Sequence, residues 1–167
     1  LISQLTKGKW DVTSLAGYDE KRKRVIFEAA WSSPLNRDLM TADLKGNIDI
    51  LSSKPGTNQA NFSSNFDYYI NTFSDANTPP YITVNKANGK EIRVLEDNRD
   101  LMQKLIEYGY RQREFFTIPT EGDKELNAWK ILPPEFDKDK AYPLLMYVYG
   151  GPGSQTVLNS WGGGHLW

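Results

Sequence analysis

Apolar and polar positions alternate through most of residues 1–98, the period of strands that turn one face inward. Strands are predicted at residues 11–17, 24–30, 38–44 and 48–51, and again at 59–65, 68–73, 81–85 and 91–95. The breaks between them carry turn chemistry. Lys45-Gly46-Asn47 and Asn88-Gly89 are hairpin signals, because such turns need a residue at positive φ.

The eight predicted strands fall into two similar units. Each runs strand, aromatic-Asp turn, strand, proline loop, strand, glycine turn, strand; the aromatic-Asp pairs are Tyr18-Asp19 and Phe66-Asp67. Equivalent positions lie about 43 residues apart, in the range of four-stranded propeller blades. One such blade cannot bury both of its faces, and two do not close a ring. The expected fold is therefore mainly β, with two terminal blades of a β-propeller at 1–98. An eight-stranded β-sandwich is the alternative.

From Asn98 the period changes. Leu101, Met102, Leu105 and Ile106 recur at helical spacing, with Asn98 placed to cap the start and Gly109 to end the helix. A connector helix is expected at 99–109. Residues 113–118 and 126–132, around a Glu121-Gly122-Asp123 turn, predict a hairpin. Beyond a Pro133-Pro134 break, residues 144–149 are apolar on both faces, as in a strand covered from both sides. That run enters the turn Gly150-Gly-Pro-Gly153, with Tyr149 at the junction. Gly150 and Gly151 are expected to take backbone angles closed to other residues and to admit a ligand closely, while Pro152 fixes the path. A phenol and several amides beside such a turn can hold a developing oxyanion, as the corresponding loop of α/β-hydrolases does. Tyr149 is equally readable as a core aromatic.

Composition narrows the classes. Net charge is −1, and the short Lys21-Arg-Lys-Arg24 cluster beside Asp19 and Glu20 reads as a solvated turn, so no nucleic-acid partner is expected. Cysteine is absent, which removes disulfides and a thiol nucleophile. No apolar run reaches membrane-spanning length, no signal peptide is visible, and no residue cluster suggests a metal or cofactor. Asn61-Phe62-Ser63 fits a glycosylation sequon. The chain begins at Leu1 and stops at Trp167 soon after the glycine turn, so an internal piece of a longer polypeptide is expected.

Several segments together resemble the dipeptidyl peptidase IV family, serine peptidases of the prolyl oligopeptidase group, and bacterial, Bacteroidetes-like members in particular. They are Lys7-Gly-Lys-Trp-Asp-Val12, Ser33-Pro-Leu-Asn-Arg37, Arg93-Val-Leu-Glu-Asp-Asn98, Ile131-Leu-Pro-Pro-Glu-Phe-Asp137 and Tyr142-Pro-Leu-Leu-Met-Tyr-Val-Tyr-Gly-Gly-Pro-Gly-Ser-Gln155. The last two are the specific ones. The resemblance implies a propeller capping an α/β-hydrolase domain that would open within 110–167. It implies removal of X-Pro or X-Ala dipeptides from peptide amino termini, a periplasmic, cell-envelope or secreted location, and a homodimer of the full-length protein. It assigns Tyr149 to oxyanion stabilisation.

The departures from that family are as definite. No Gly-x-Ser-x-Gly elbow occurs; Ser154 follows Gly153, but Pro152 stands where the motif needs glycine. His165, the sole histidine, does not match the family's catalytic position. The chain is therefore expected to be inactive alone. A non-catalytic binding module, or a tripeptidyl or oligopeptidase relative, are the alternatives.

Overall fold

The computed structural model describes residues 3–122, 124–151 and 153–162. Two four-stranded antiparallel sheets, each a meander in chain order, occupy the amino-terminal part. The first contains β1 (Val12–Asp19), β2 (Arg24–Ala29), β3 (Asp38–Asp43) and β4 (Ile48–Ile50). The second contains β5 (Thr57–Phe62), β6 (Tyr68–Ser74), β7 (Tyr81–Lys86) and β8 (Glu91–Glu96).

The repeat extends to backbone detail. Gly46 N–H donates to Asp43 O, and Asp43 N–H to Asn47 O, both at 3.0 Å. Gly89 N–H donates to Lys86 O, and Lys86 N–H to Lys90 O, both at 2.9 Å. Gly46 (φ 88) and Gly89 (φ 87) hold the left-handed position that closes each loop, where a side chain would be strained.

Successive residues of β2 and β3 point to opposite faces, so this pair feeds two cores. Ile26 and Leu39 meet Leu51 and Tyr69 between the sheets, with Ala16, Ala60, Phe62 and Phe66 around them. Phe27, Ala29, Met40 and Ala42 face the other way and are covered by Leu5, Trp10, Val25 and Ile48. Trp10 lies parallel to Phe27 at 6.3 Å and edge-on to Trp31 at 5.1 Å. The far face of the second sheet, opposite Tyr69, leaves Tyr68 and Ile70 exposed. A closed sandwich would not present that row, whereas a stack of blades presents it to a neighbour.

The basic cluster is only half solvated. Lys21 and Lys23 are exposed, but Arg22 and Arg24 cross the seam between the sheets. Arg22 Nη1 donates to Asp19 Oδ2 at 2.9 Å and to Phe66 O at 3.3 Å, and its Nη2 donates to Asp67 Oδ1. Arg24 Nη2 donates to Ala87 O at 2.7 Å, and its Nε to Asp19 Oδ2 at 3.4 Å. The predicted aromatic-Asp turns are thus joined through one guanidinium. Burial alone would raise the Asp19 carboxyl, but hydrogen bonds and charge from Arg22 and Arg24 outweigh it and hold it below the ordinary range. Hydrogen bonds from Arg22 and Lys21 lower Asp67.

Helix α1 (Arg99–Glu107) follows. Asn98 occupies the cap position but does not cap with its side chain: it adopts φ 55, and its Nδ2 donates to Pro80 O at 2.6 Å. The Asp97 carboxylate takes the Arg99 N–H instead, at 3.1 Å. At the other end Gly109 N–H donates to Ile106 O and Tyr110 N–H to Leu105 O, the paired bonds of a Schellman stop. Strands β9 (Glu114–Pro119) and β10 (Glu125–Lys130) form the expected hairpin.

The expectation of a buried strand at 144–149 is not met. These residues form no strand, and Leu144 is 82% exposed. An apolar run becomes a central strand only where backbones flank it on both sides, and neither β9 nor β10 pairs with it.

Two outcomes follow. Met40→Ala should destabilise the chain by about 2–5 kcal/mol, through lost burial and the cavity left behind; urea unfolding measures it, and a loss under ~1 kcal/mol would contradict the packing. Because the Asp19 and Asp67 values are depressed on folding, their stabilisation is complete above about pH 4 and lost as pH falls through the lower folded values. Urea midpoints should drop below pH 4, and Asp19→Asn should flatten that drop.

Candidate functional site

Tyr149 stands at the entry to the glycine turn, 56% exposed. It is therefore not a core aromatic within this structure. Its hydroxyl has no hydrogen-bond partner among the described residues. The ring folds back over the backbone that follows: a Cβ on Gly151 would lie 2.7 Å from the hydroxyl oxygen and 2.9 Å from Cζ. Gly151 is thus required for the close approach of the phenol, rather than for its backbone angles. Nothing crowds Gly150. The left-handed residue of the turn is Gly153, at φ 71, and Ser154 N–H closes the turn on Gly151 O at 3.2 Å. Pro152 and His165 lie outside the described residues.

A phenol held this way can donate one hydrogen bond to an anionic oxygen. It cannot by itself break a bond, because nucleophilic catalysis needs a nucleophile and a base within hydrogen-bond reach. The described residues bring no such pair together at Tyr149. They also hold no group of three His, Cys, Asp or Glu side chains placed for a metal.

Residues after the turn return to the seam between the two sheets, which local sequence pattern did not reveal. Gln155 Nε2 donates to Pro34 O at 2.7 Å, and its Oε1 accepts from Arg37 Nη2 at 2.7 Å. Asn159 N–H donates to Leu35 O at 2.9 Å, and its carbonyl accepts from Thr57 Oγ1 at 3.0 Å. The Asn159 side chain accepts from Ala76 N–H at 2.9 Å and donates to Asn36 Oδ1 at 3.0 Å.

Arg113 supports the same region. It is 7% exposed, forms no ion pair among the described residues, and lies over the Trp129 ring at 5.0 Å. Its Nη1 donates to Ser160 O at 3.4 Å, while its N–H and carbonyl both bond the Asn77 side chain. Burial pulls the guanidinium below its ordinary value. Trp161 completes the contact, with N–H to Ser74 Oγ at 3.3 Å and its ring 5.8 Å from Tyr110.

Two stacked four-stranded meanders lead through a helix and a hairpin to the glycine turn. Residues 1–80 match a family profile described as the dipeptidyl peptidase IV (DPP IV) N-terminal region. Over its first 80 residues the chain resembles that family. It is similar to the probable dipeptidyl peptidase 4 of Aspergillus flavus, 30% identical over 164 residues, covering 94% of this chain and 21% of that protein. The dipeptidyl peptidase 4 of Trichophyton rubrum is 32% identical over 161 residues, with the same coverage of 94% and 21%. Among solved structures, Porphyromonas gingivalis dipeptidyl peptidase 4 superimposes with a TM-score of 0.88 at 45% identity, over 94% of this chain and 22% of that one. A putative dipeptidyl aminopeptidase IV from Bacteroides ovatus gives 0.79 at 30% identity, over 97% and 23%. The chain spans about a fifth of the length of these relatives.

Gly151→Val should displace the Tyr149 ring, since the new Cβ would lie 2.7 Å from the hydroxyl oxygen, closer than such atoms can approach. A crystal structure of the variant checks it; an unmoved ring would show that the contact does not set its position.

Proposed function

We propose that this chain is part of a serine exopeptidase that releases X-Pro or X-Ala dipeptides from peptide amino termini, with Tyr149 as an oxyanion donor. One observation carries the reading: an exposed phenol, its hydroxyl unpartnered among the described residues, stands at the mouth of a glycine turn in a chain 45% identical to a dipeptidyl peptidase 4.

The chemistry gives the phenol a definite task. A serine hydroxyl adds to the carbonyl carbon of the second residue, its proton passes to a base, and the carbonyl oxygen becomes an alkoxide. The Tyr149 O–H would donate to that oxygen, stabilising charge that exists only as the bond to serine forms. Collapse expels the amine, which leaves with the proton, and water then releases the dipeptide. Serine, histidine, aspartate and the acidic groups that would hold the substrate's amino terminus belong to parts of the full-length protein outside this chain. A periplasmic, cell-envelope or secreted location and a homodimer belong to the same proposal.

In the full-length protein, Tyr149→Phe should lower kcat by about 10²- to 10³-fold, the usual effect of losing one oxyanion donor. Thermal stability should change little, because the ring is exposed. Steady-state kinetics on a Gly-Pro chromogenic substrate decide it; near-normal kcat would sink the assignment. The chain by itself should not turn over that substrate, and activity surviving repurification would contradict this.

A further inference from the structure

We infer that Asn159 is a positioning residue, which sets the location of the Tyr149 turn by fixing the chain that leaves it onto the seam between the sheets. The inference rests on Tyr149 being the oxyanion donor.

Anchorage of the turn is one-sided. Residues 142–149 make no backbone–backbone hydrogen bond among the described residues, and the upstream tie is local: the Tyr142 hydroxyl accepts from Asp137 N–H at 3.0 Å within the same loop. Downstream, Asn159 uses all four of its polar groups: backbone N–H to Leu35 O, backbone carbonyl to Thr57 Oγ1, Oδ1 to Ala76 N–H, and Nδ2 to Asn36 Oδ1. Leu35 and Asn36 belong to the loop before β3, and Thr57 and Ala76 to the second sheet and the loop leaving it. A single residue therefore reports the position of both sheets to the turn.

The amide is specified by the polarity of a chain of hydrogen bonds. Asp38 is buried, and its carboxylate accepts from Ser32 Oγ at 2.7 Å. With its proton so directed, that hydroxyl accepts from Asn36 Nδ2 at 2.9 Å. Asn36 is left presenting Oδ1, which needs a donor from residue 159. Ala76 N–H needs an acceptor from the same side chain. Asparagine meets both demands at that length. Aspartate would turn an oxygen toward Asn36 Oδ1, and alanine would meet neither demand.

Placement matters because an oxyanion donor must lie about 2.7–3.1 Å from the developing charge, and a misplacement near 1 Å costs on the order of 10²-fold. In the full-length protein, Asn159→Asp and Asn159→Ala should lower kcat on a Gly-Pro chromogenic substrate by roughly 10- to 100-fold with little change in KM. Hydrogen–deuterium exchange over 150–156 should rise in both variants. In a Tyr149→Phe background, where the donor is gone, adding Asn159→Ala should change kcat less than about 2-fold. A merely structural role would instead give the same loss in both backgrounds. If Asn159→Ala does not fold, Thr57→Val, which removes only one bond to the Asn159 carbonyl, carries the same exchange and kinetic tests. Unchanged exchange overturns the anchor itself. Raised exchange with unchanged kcat, or with full additivity, overturns the coupling to Tyr149. Near-normal kcat in Tyr149→Phe alone overturns the oxyanion reading, and the coupling with it, while the exchange result still stands for the anchor.

Discussion

A four-stranded antiparallel sheet has two faces, and an apolar face is stable only against another surface. That constraint organises the whole structure. The first sheet meets it twice, placing Ile26 and Leu39 against Tyr69 of the second sheet, and Phe27 and Met40 against Trp10 and Leu5. The second sheet meets it once, and Tyr68 and Ile70 on its far face remain exposed. Stacking therefore creates a seam, and the seam is where the polar chemistry collects. At one place Arg22 joins Asp19 to Asp67; at another Asn159 joins the loops that follow β2 and β6.

These two junctions differ in kind. Arg22 is an ionic tie between carboxylates of neighbouring turns, and acid removes it. The Asn159 junction is neutral, directional and saturated, with the sense of each bond imposed from the buried Asp38 carboxylate outward. A network of this type contributes less through its strength than through its exclusiveness, since a half-satisfied version is costlier than none. It suits a place where position matters more than affinity.

Legibility in the sequence followed the range of the interactions. Strands β1 to β8 were readable because alternation is local, and the Gly46 and Gly89 turns because a left-handed position selects glycine. Asn98 marks the helix boundary in the sequence, but the capping bond comes from its neighbour: the Asp97 carboxylate takes the Arg99 N–H while the Asn98 amide reaches Pro80. Arg22 and Arg24 looked like a solvated turn because their carboxylate and carbonyl partners, Asp67 and Ala87, are distant in the chain. The contacts of Asn159, Gln155 and Arg113 carried no local signal. Each bonds residues far away in sequence, and no periodicity encodes that.

The contrast at residues 144–149 has the same root. An apolar run states that a segment will be buried, but the burying surface is a property of its neighbours. Where β9 and β10 pair only with each other, the run stays unpaired and Tyr149 stays exposed. Its phenol still adopts a defined relation to the turn, because the absence of a Cβ on Gly151 lets the ring close over the backbone. Local sterics thus place the hydroxyl relative to the turn, and the Asn159 junction places the chain leaving the turn relative to the sheets. Absolute placement of an oxyanion donor requires both, so Gly151 and the distant Asn159 act on one coordinate from opposite ends.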